Sequence, residues 1–256
     1  MPVKVKHSPK LFDLLEENYL RFNQLEFIEE DPILIPHSFS LKQDIEISGF
    51  LSAIIAWGQR KTIINNAKKM MLLMDNAPYE FILKHQESDL KRFEGFVHRT
   101  FNSEDLLYFI HALKAIYRKH DSLEDIFMNG KDMKERISNF KTAFFNLDHL
   151  KRTEKHLADP LKGSSAKRIN MFLRWMVRKD EQGVDFGIWN RIHSSDLMIP
   201  LDVHTGNTAR KLDLLYRKQN DWKSVEELTS NLKLYSKEDP VKYDFSLFGL
   251  GVNSLV

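Results

Sequence analysis

The sequence predicts an all-α fold, and three observations carry that expectation. Apolar residues recur at helical spacing in the long periodic segments, sustained period-two alternation is missing, and caps and breakers bound those segments. The chain reads as compact throughout, with roughly ten or more helices.

Taken in order, Leu11 to Leu20 reads as an N-terminal helix. "DPILIPHSF" (Asp31–Phe39) reads as a short extended piece between prolines. "DIEISGFLSAIIAWG" and "RKTIINNAKKMMLLM" read as two helices broken near Gly58. "SEDLLYFIHALKAIYRKH" takes Ser103 as N-cap and carries an apolar stripe at Leu106, Phe109, Ile110, Leu113 and Tyr117. "LKGSSAKRINMFLRWMVR" turns at Gly163, is capped by Ser164 or Ser165, and continues as a helix from Lys167. Asp202 reads as the N-cap of an amphipathic helix through Ala209, Leu212 and Leu215. "DPVKYDFSLFGLG" has Asp239 as cap and Pro240 as first helical residue, and its glycines read as a stop. Two lobes are expected, residues 45–150 as a helical bundle and residues 1–44 with 151–256 as a lobe carrying the Gly163 turn.

Composition narrows the function classes. A 256-residue, 30.2 kDa chain with 42% hydrophobic and 29% charged residues buries a sizeable core. Cysteine is absent, which excludes disulfides, thiol catalysis, thiolate zinc sites and an iron–sulfur cluster held by cysteines, and fits a cytoplasmic location. No apolar run approaches the ~20 residues that span a bilayer. The start, "MPVKVKHSPKLFDLLEENYL", has no apolar core of a signal peptide. No membrane partner and no cofactor are expected, and the chain is expected to be a monomer.

Net charge is only +2, yet residues 151–180 hold nine Lys/Arg against three Asp/Glu, a net +6. Such local density fits a phosphate-binding surface and fits a solvated helix face equally well. On a helical wheel from Lys167, Ile169, Phe172, Leu173 and Met176 share one side; Lys167, Arg174 and Arg178 share the other, flanked by Met171 and Trp175. A helix N-terminus beside a turn exposes backbone N–H groups that bind phosphate without sequence preference. His204 is read as a structural histidine. His120 and Asp121, in "KHD", form the dipeptide of metal phosphohydrolases, although Asp121 or Ser122 also serves as a helix cap. There is no His-Glu-x-x-His zinc helix and no Gly-x-x-x-x-Gly-Lys phosphate loop.

Leu161, Gly163, Lys167 and Asn170, followed by "LDVH" with Asp202 and His204, resemble the helix-hairpin-helix DNA glycosylases. That family carries a Leu-Pro-Gly-Val-Gly-x-Lys-Thr-Ala-Asn hairpin and then Val-Asp-Thr-His. Here Lys162 stands at the hairpin's proline and Ser165 at its second glycine. Lys167 and Asp202 stand 35 positions apart, a spacing similar to that of the archaeal 8-oxoguanine glycosylase branch. "LSAIIAWGQRKTIINNA" is similar to the family's "LLSAQ" helix and the helix after it. The chain as a whole, from about Asp44 to its end, resembles a bacterial domain family of unknown function. "AWGQRKTI", "KGSSAKRINMFLRWMVR", "PLDVHTGN" and "DPVKYDFSLFGLG" carry this second likeness.

The glycosylase resemblance implies a two-lobed helical fold, a damaged DNA duplex as partner, and Lys167 and Asp202 as nucleophile and catalytic partner. It implies duplex contacts from Gln59, Lys162, Gly163, Ser164, Ser165, Arg168, Arg174 and Lys211. It also implies a monovalent cation on the backbone carbonyls of Leu161 and Gly163. An aromatic or apolar clamp for a flipped base would draw on Trp57, Phe172, Trp175 and Phe248. The chemistry suits these residue types. A flipped base costs a few kcal/mol of unstacking. A neutral lysine amine attacks C1′ and the intermediate collapses to a Schiff base, which permits strand cleavage. A carboxylate takes the lysine proton and stabilises charge building on the sugar. The expected activity is therefore base excision on an oxidised or damaged base such as 8-oxoguanine, with lyase action. The alternatives are a non-catalytic nucleic-acid-binding protein and a metal phosphohydrolase.

Overall fold

The computed structural model describes residues 7–253, so the basic start at residues 1–6 lies outside the described residues. The all-α expectation holds, with 62% helix against 3% strand. The α-helices are α1 (Pro9–Phe22), α2 (Glu26–Glu29), α3 (Lys42–Ile54), α4 (Arg60–Leu73), α5 (Pro78–Lys84) and α6 (Ser103–Tyr117). They continue with α7 (Glu124–Phe127), α8 (Met133–Phe144), α9 (Lys167–Val177), α10 (Val203–Lys211), α11 (Trp222–Leu232) and α12 (Tyr243–Val252). A small antiparallel hairpin pairs β1 (Val97–His98) with β2 (Phe101–Asn102). Among the described residues no helix is long and apolar enough to cross a membrane.

The chain forms two compact units. One contains Ile28–Lys131 and Glu135–Ala158. The centre of this unit is α3, buried from Ile45 to Ile54, with Phe50 against the rings of Phe109, Phe140 and Phe144. Glu46 is buried there and stays satisfied, since Tyr117 Oη donates to it at 2.7 Å and the Leu123 N–H at 3.0 Å. The stripe expected on α6 faces this core, with Leu106, Phe109, Ile110, Leu113 and Tyr117 all buried. Its cap, however, is Asn102. Asn102 and Asp105 each accept the other's backbone N–H, which leaves Ser103 as the first helical residue.

Asp31–Phe39 is not extended. Prolines preset φ at the first positions of two 3₁₀ turns, Pro32–Leu34 and Pro36–Ser38, and the Asp31 carboxylate accepts the Ile33 N–H at 3.0 Å. The break near Gly58 is as expected, with φ +107 at that glycine.

Among the described residues the second unit contains residues 7–27, Asp132–Lys134 and residues 159–253. In it, α12 packs against both α1 and α10. The glycines of "GLG" do not stop α12; Gly249 and Gly251 lie inside it. A Cβ on Gly249 would sit 2.2 Å from the Phe22 ring of α1, and one on Gly251 would sit 2.6 Å from Thr208 Oγ1 of α10. Close helix approach, not termination, is why glycine stands at both positions. α10 stops at Lys211, ahead of Leu212 and Leu215, because Asp213 turns left-handed with φ +55.

Candidate active site

The hairpin before α9 is built from short-range hydrogen bonds. Asp159 caps the 3₁₀ turn Pro160–Lys162 by accepting the Leu161 N–H at 3.0 Å. Gly163 follows with φ +88, and Ala166, at φ +48, makes a second left-handed turn into the helix. Ser165 is not left-handed, so the serine at the second glycine position of the glycosylase pattern imposes no strain there. Neither serine caps the helix as expected. Ser164 Oγ instead accepts the Ala166 N–H at 3.2 Å, and the Ser165 carbonyl accepts the Asn170 amide at 3.0 Å. The Gly163 carbonyl, one of the two expected to hold a monovalent cation, accepts the Trp222 N–H at 3.0 Å.

Lys167 is the first residue of α9, and Asp202 is the N-cap of α10. Lys167 Nζ lies 3.8 Å from Asp202 Oδ2, with the side chains 29% and 23% exposed. The other oxygen, Asp202 Oδ1, accepts the Thr205 N–H at 2.9 Å. The cap and the ion pair thus use different oxygens of one carboxylate. The Asp202 carbonyl accepts the Asn220 amide at 3.0 Å, two residues before Trp222 reaches Gly163. A polar atom lies buried without a hydrogen-bond partner just inside each helix, Asn170 Oδ1 in α9 and Thr205 Oγ1 in α10.

Behind this pair runs a buried chain of charges. Arg174 donates from Nη1 to Asp244 at 2.5 Å and from Nε to Asp185 at 3.2 Å. Arg178 donates to Asp180 at 2.6 Å, Asp185 at 3.0 Å and Asp239 at 2.8 Å. Burial pushes the Asp244 carboxyl up to about 6; Arg174 and Lys167 oppose that shift, while Asp202 and Asp185 add to it. Burial likewise raises Asp185, against the pull of both arginines.

These placements correct the basic stripe. Every residue from Ile169 to Val177 is buried, and Arg174 and Arg178 are 3% and 1% exposed. Arg174 is therefore part of an internal ion network and presents no phosphate-binding surface. Trp175 and Phe172 are both 0% exposed and belong to the core, so neither presents a clamp to a base.

The remaining candidates lie nearer solvent. Lys162 and Gly163 are exposed on the hairpin, with Ser164 beside them, and Lys211 is exposed at the end of α10. Arg168 is half-buried, and burial lowers its guanidinium from the ordinary value. Phe248 is half-buried with its ring 6.3 Å from that of His204. In the other unit, Gln59 is exposed as the N-cap of α4, and Trp57 is half-buried, stacked on His156 at 5.9 Å. His120 lies 3.7 Å from Asp125, and among the described residues no three His, Asp or Glu gather as a metal-binding set. The phosphohydrolase alternative therefore finds no ligand set there.

Asp244 and Asp185 were not among the residues expected here. Asp244 had a readable trace: it is a lone carboxylate in the apolar run "YDFSLFGL", where a charge needs a buried partner. Asp185 had none.

A family model described as "Protein of unknown function (DUF2400)" matches residues 31–253. No curated protein and no solved structure matches the chain.

Proposed function

The chain belongs to the DUF2400 family, and we propose that it is a DNA base-excision glycosylase with lyase action on an oxidised or otherwise damaged base such as 8-oxoguanine. The approach of Lys167 Nζ to Asp202 Oδ2, 3.8 Å across 35 positions of sequence, carries this reading. A cation on the first residue of a helix works against the helix dipole, at a cost of several tenths of a kcal/mol. A structural salt bridge gains little at such a half-exposed position, so a chemical use of the amine accounts for it better.

In the reaction, Asp202 Oδ2 accepts a proton from the Lys167 ammonium. The neutral amine then attacks C1′ of the damaged nucleoside, and the bond from C1′ to the base breaks with its electron pair leaving on the base. Loss of an amine proton and opening of the C1′–O4′ bond, its electron pair leaving on O4′, give a protonated Schiff base, and removal of a C2′ proton then expels the 3′ phosphate. Exposed Lys162 and the turn at Gly163 and Ser164 are suited to the phosphate backbone, and Lys211 adds a cation at the far end of α10.

The test is borohydride trapping on duplexes carrying a panel of damaged bases. A covalent adduct that vanishes in Lys167→Ala supports the reading. Absence of both adduct and base release across the panel overturns it. The dual use of Asp202, as cap and ion-pair partner, also favours a second reading, a nucleic-acid-binding protein without chemistry. In that case Lys167→Ala weakens binding uniformly across sequences and no duplex is trapped.

A further inference from the structure

The outer face of α4 carries charge of one sign. The helix holds Arg60, Lys61, Lys68 and Lys69 and no acidic residue. Lysines elsewhere meet carboxylates, as Lys84 meets Glu80 at 2.8 Å and Lys131 meets Glu135 at 2.7 Å. Among the described residues neither Lys68 nor Lys69 has such a partner. Lys69 Nζ lies 5.9 Å from the Phe96 ring, a contact that leaves its charge unneutralised. Beside these lysines runs a groove of about 590 Å³, wholly within the first unit. Its apolar side is Ile35, Phe39, Met71 and Leu72, and Leu72 is 65% exposed. Asn65, Asn76 and Ser38 add neutral polar groups, and no carboxylate lines it. The walls are preset, because α4 packs against the turn Pro32–Leu34 and both Pro32 and Pro36 are buried.

We propose that this groove binds a small amphipathic anion, an apolar body with one carboxylate or phosphate head. Small-molecule sites are mostly apolar, largely preformed, and carry a few polar groups that fix orientation. Here the apolar body covers Leu72 and rests on Ile35, Phe39 and Met71, and the head meets the Lys68 and Lys69 ammoniums. A cationic amphiphile would set a third positive charge beside two, so the groove selects by sign. The neighbouring clefts of this unit lack that imbalance. In one, Asp75, Glu80 and Asp89 are paired by Lys84 and Arg92; in another, His120 faces Asp125 at 3.7 Å. Other occupants fit the face less well. A partner helix needs an apolar stripe, yet Leu72 is the exposed large apolar residue of α4, and Lys61, Asn65, Lys68 and Lys69 are polar. A nucleic-acid backbone leaves the apolar side unused. No residue of the Lys167–Asp202 site takes part, so this binding does not depend on the glycosylase reaction.

Methionine-methyl NMR on the full chain tests this, with the Met71 resonance assigned by its loss in Met71→Leu. Octanoate, octyl phosphate, 1-octanol and octylammonium share one body and differ in the head. The Met71 methyl is expected to shift saturably with octanoate or octyl phosphate, with a Kd on the order of 1 mM. The tighter of the two names the head. Octanol is expected to bind roughly tenfold more weakly, and octylammonium more weakly still. Lys68→Glu with Lys69→Glu is expected to weaken the anions about tenfold or more and to favour octylammonium, while Leu72→Ser weakens every head. All three positions are exposed, so these variants are expected to fold, and unchanged shifts of the other methionines verify it. Should the double reversal fail to fold, Lys68→Gln and Leu72→Ser decide by the same criteria. Three results overturn the proposal: no saturable Met71 shift with either anion, octanoate and octylammonium binding alike, or anion binding that survives the charge reversals. A shift no larger at Met71 than at the other methionines does so too. So does a short DNA duplex that shifts Met71 through both lysines where neither anion acts, since the face is then a nucleic-acid contact.

Discussion

The carboxylate of Asp202 divides its oxygens, Oδ1 receiving the Thr205 N–H at 2.9 Å and Oδ2 facing Lys167 at 3.8 Å. Asparagine caps helices about as well as aspartate, whereas alanine does not. Asp202→Asn is therefore expected to leave stability within ~0.5 kcal/mol, and Asp202→Ala to cost ~1 kcal/mol. Both lose borohydride trapping. Urea denaturation beside the trapping assay checks this, and retained trapping in Asp202→Asn would remove the carboxylate from the mechanism.

Arg174 is placed by its burial in the framework. Arg174→Met strands Asp244 without its cation and leaves Asp185 to Arg178 alone, which is expected to cost about 3–5 kcal/mol. A loss below ~1 kcal/mol in thermal or urea unfolding would contradict the internal network.

Lys162 is the opposite case, with its side chain 73% exposed. Lys162→Ala is expected to leave stability unchanged and to reduce the slope of log K against log salt by ~0.9 on duplex DNA. Fluorescence anisotropy across a salt series measures the slope, and an unchanged slope removes Lys162 from the phosphate contacts.

Asp244 gives stability a pH dependence of definite sign. Its folded value is raised to about 6, so between the unfolded value and that point the folded state binds more protons than the unfolded state. Its contribution is present at low pH and is lost as pH rises from ~4 to ~6, by up to ~3 kcal/mol. Asp244→Asn is expected to be free of that decline. Unfolding free energies at pH 4, 5, 6 and 7 for both proteins test it, and parallel curves contradict it.

Gly249→Ala pits a gain in helix propensity of about 1 kcal/mol against a steric clash. Three ring atoms of Phe22 lie within 2.5 Å of the new methyl, so the clash prevails. The expected loss is ~1–3 kcal/mol, read as a lower midpoint in thermal unfolding.

How far the sequence was legible depended on where each residue found its partner. On α6 the apolar stripe predicted burial correctly, because one face of that helix meets one core. On α9 the same wheel failed. The carboxylates that draw Arg174 and Arg178 inside come from Asp185, Asp239 and Asp244, all beyond the helix, and periodicity within a helix carries no trace of them. Gly249 and Gly251 misled for the same reason, since the ring and the hydroxyl that exclude a side chain belong to α1 and α10. Lys167 and Asp202 could be singled out because the pattern around each is local: a turn before the lysine, and a cap position for the aspartate.

The contacts made by Asn220 and Trp222 have a consequence for the spacing of the pair. Asn220 holds the carbonyl of Asp202, and Trp222 holds the carbonyl of Gly163, four residues ahead of Lys167. Two hydrogen bonds from one tripeptide thus reach both ends of the 35-residue excursion and act as its gauge. The separation of amine and carboxylate is therefore braced from outside the excursion, by hydrogen bonds that none of its own residues donates.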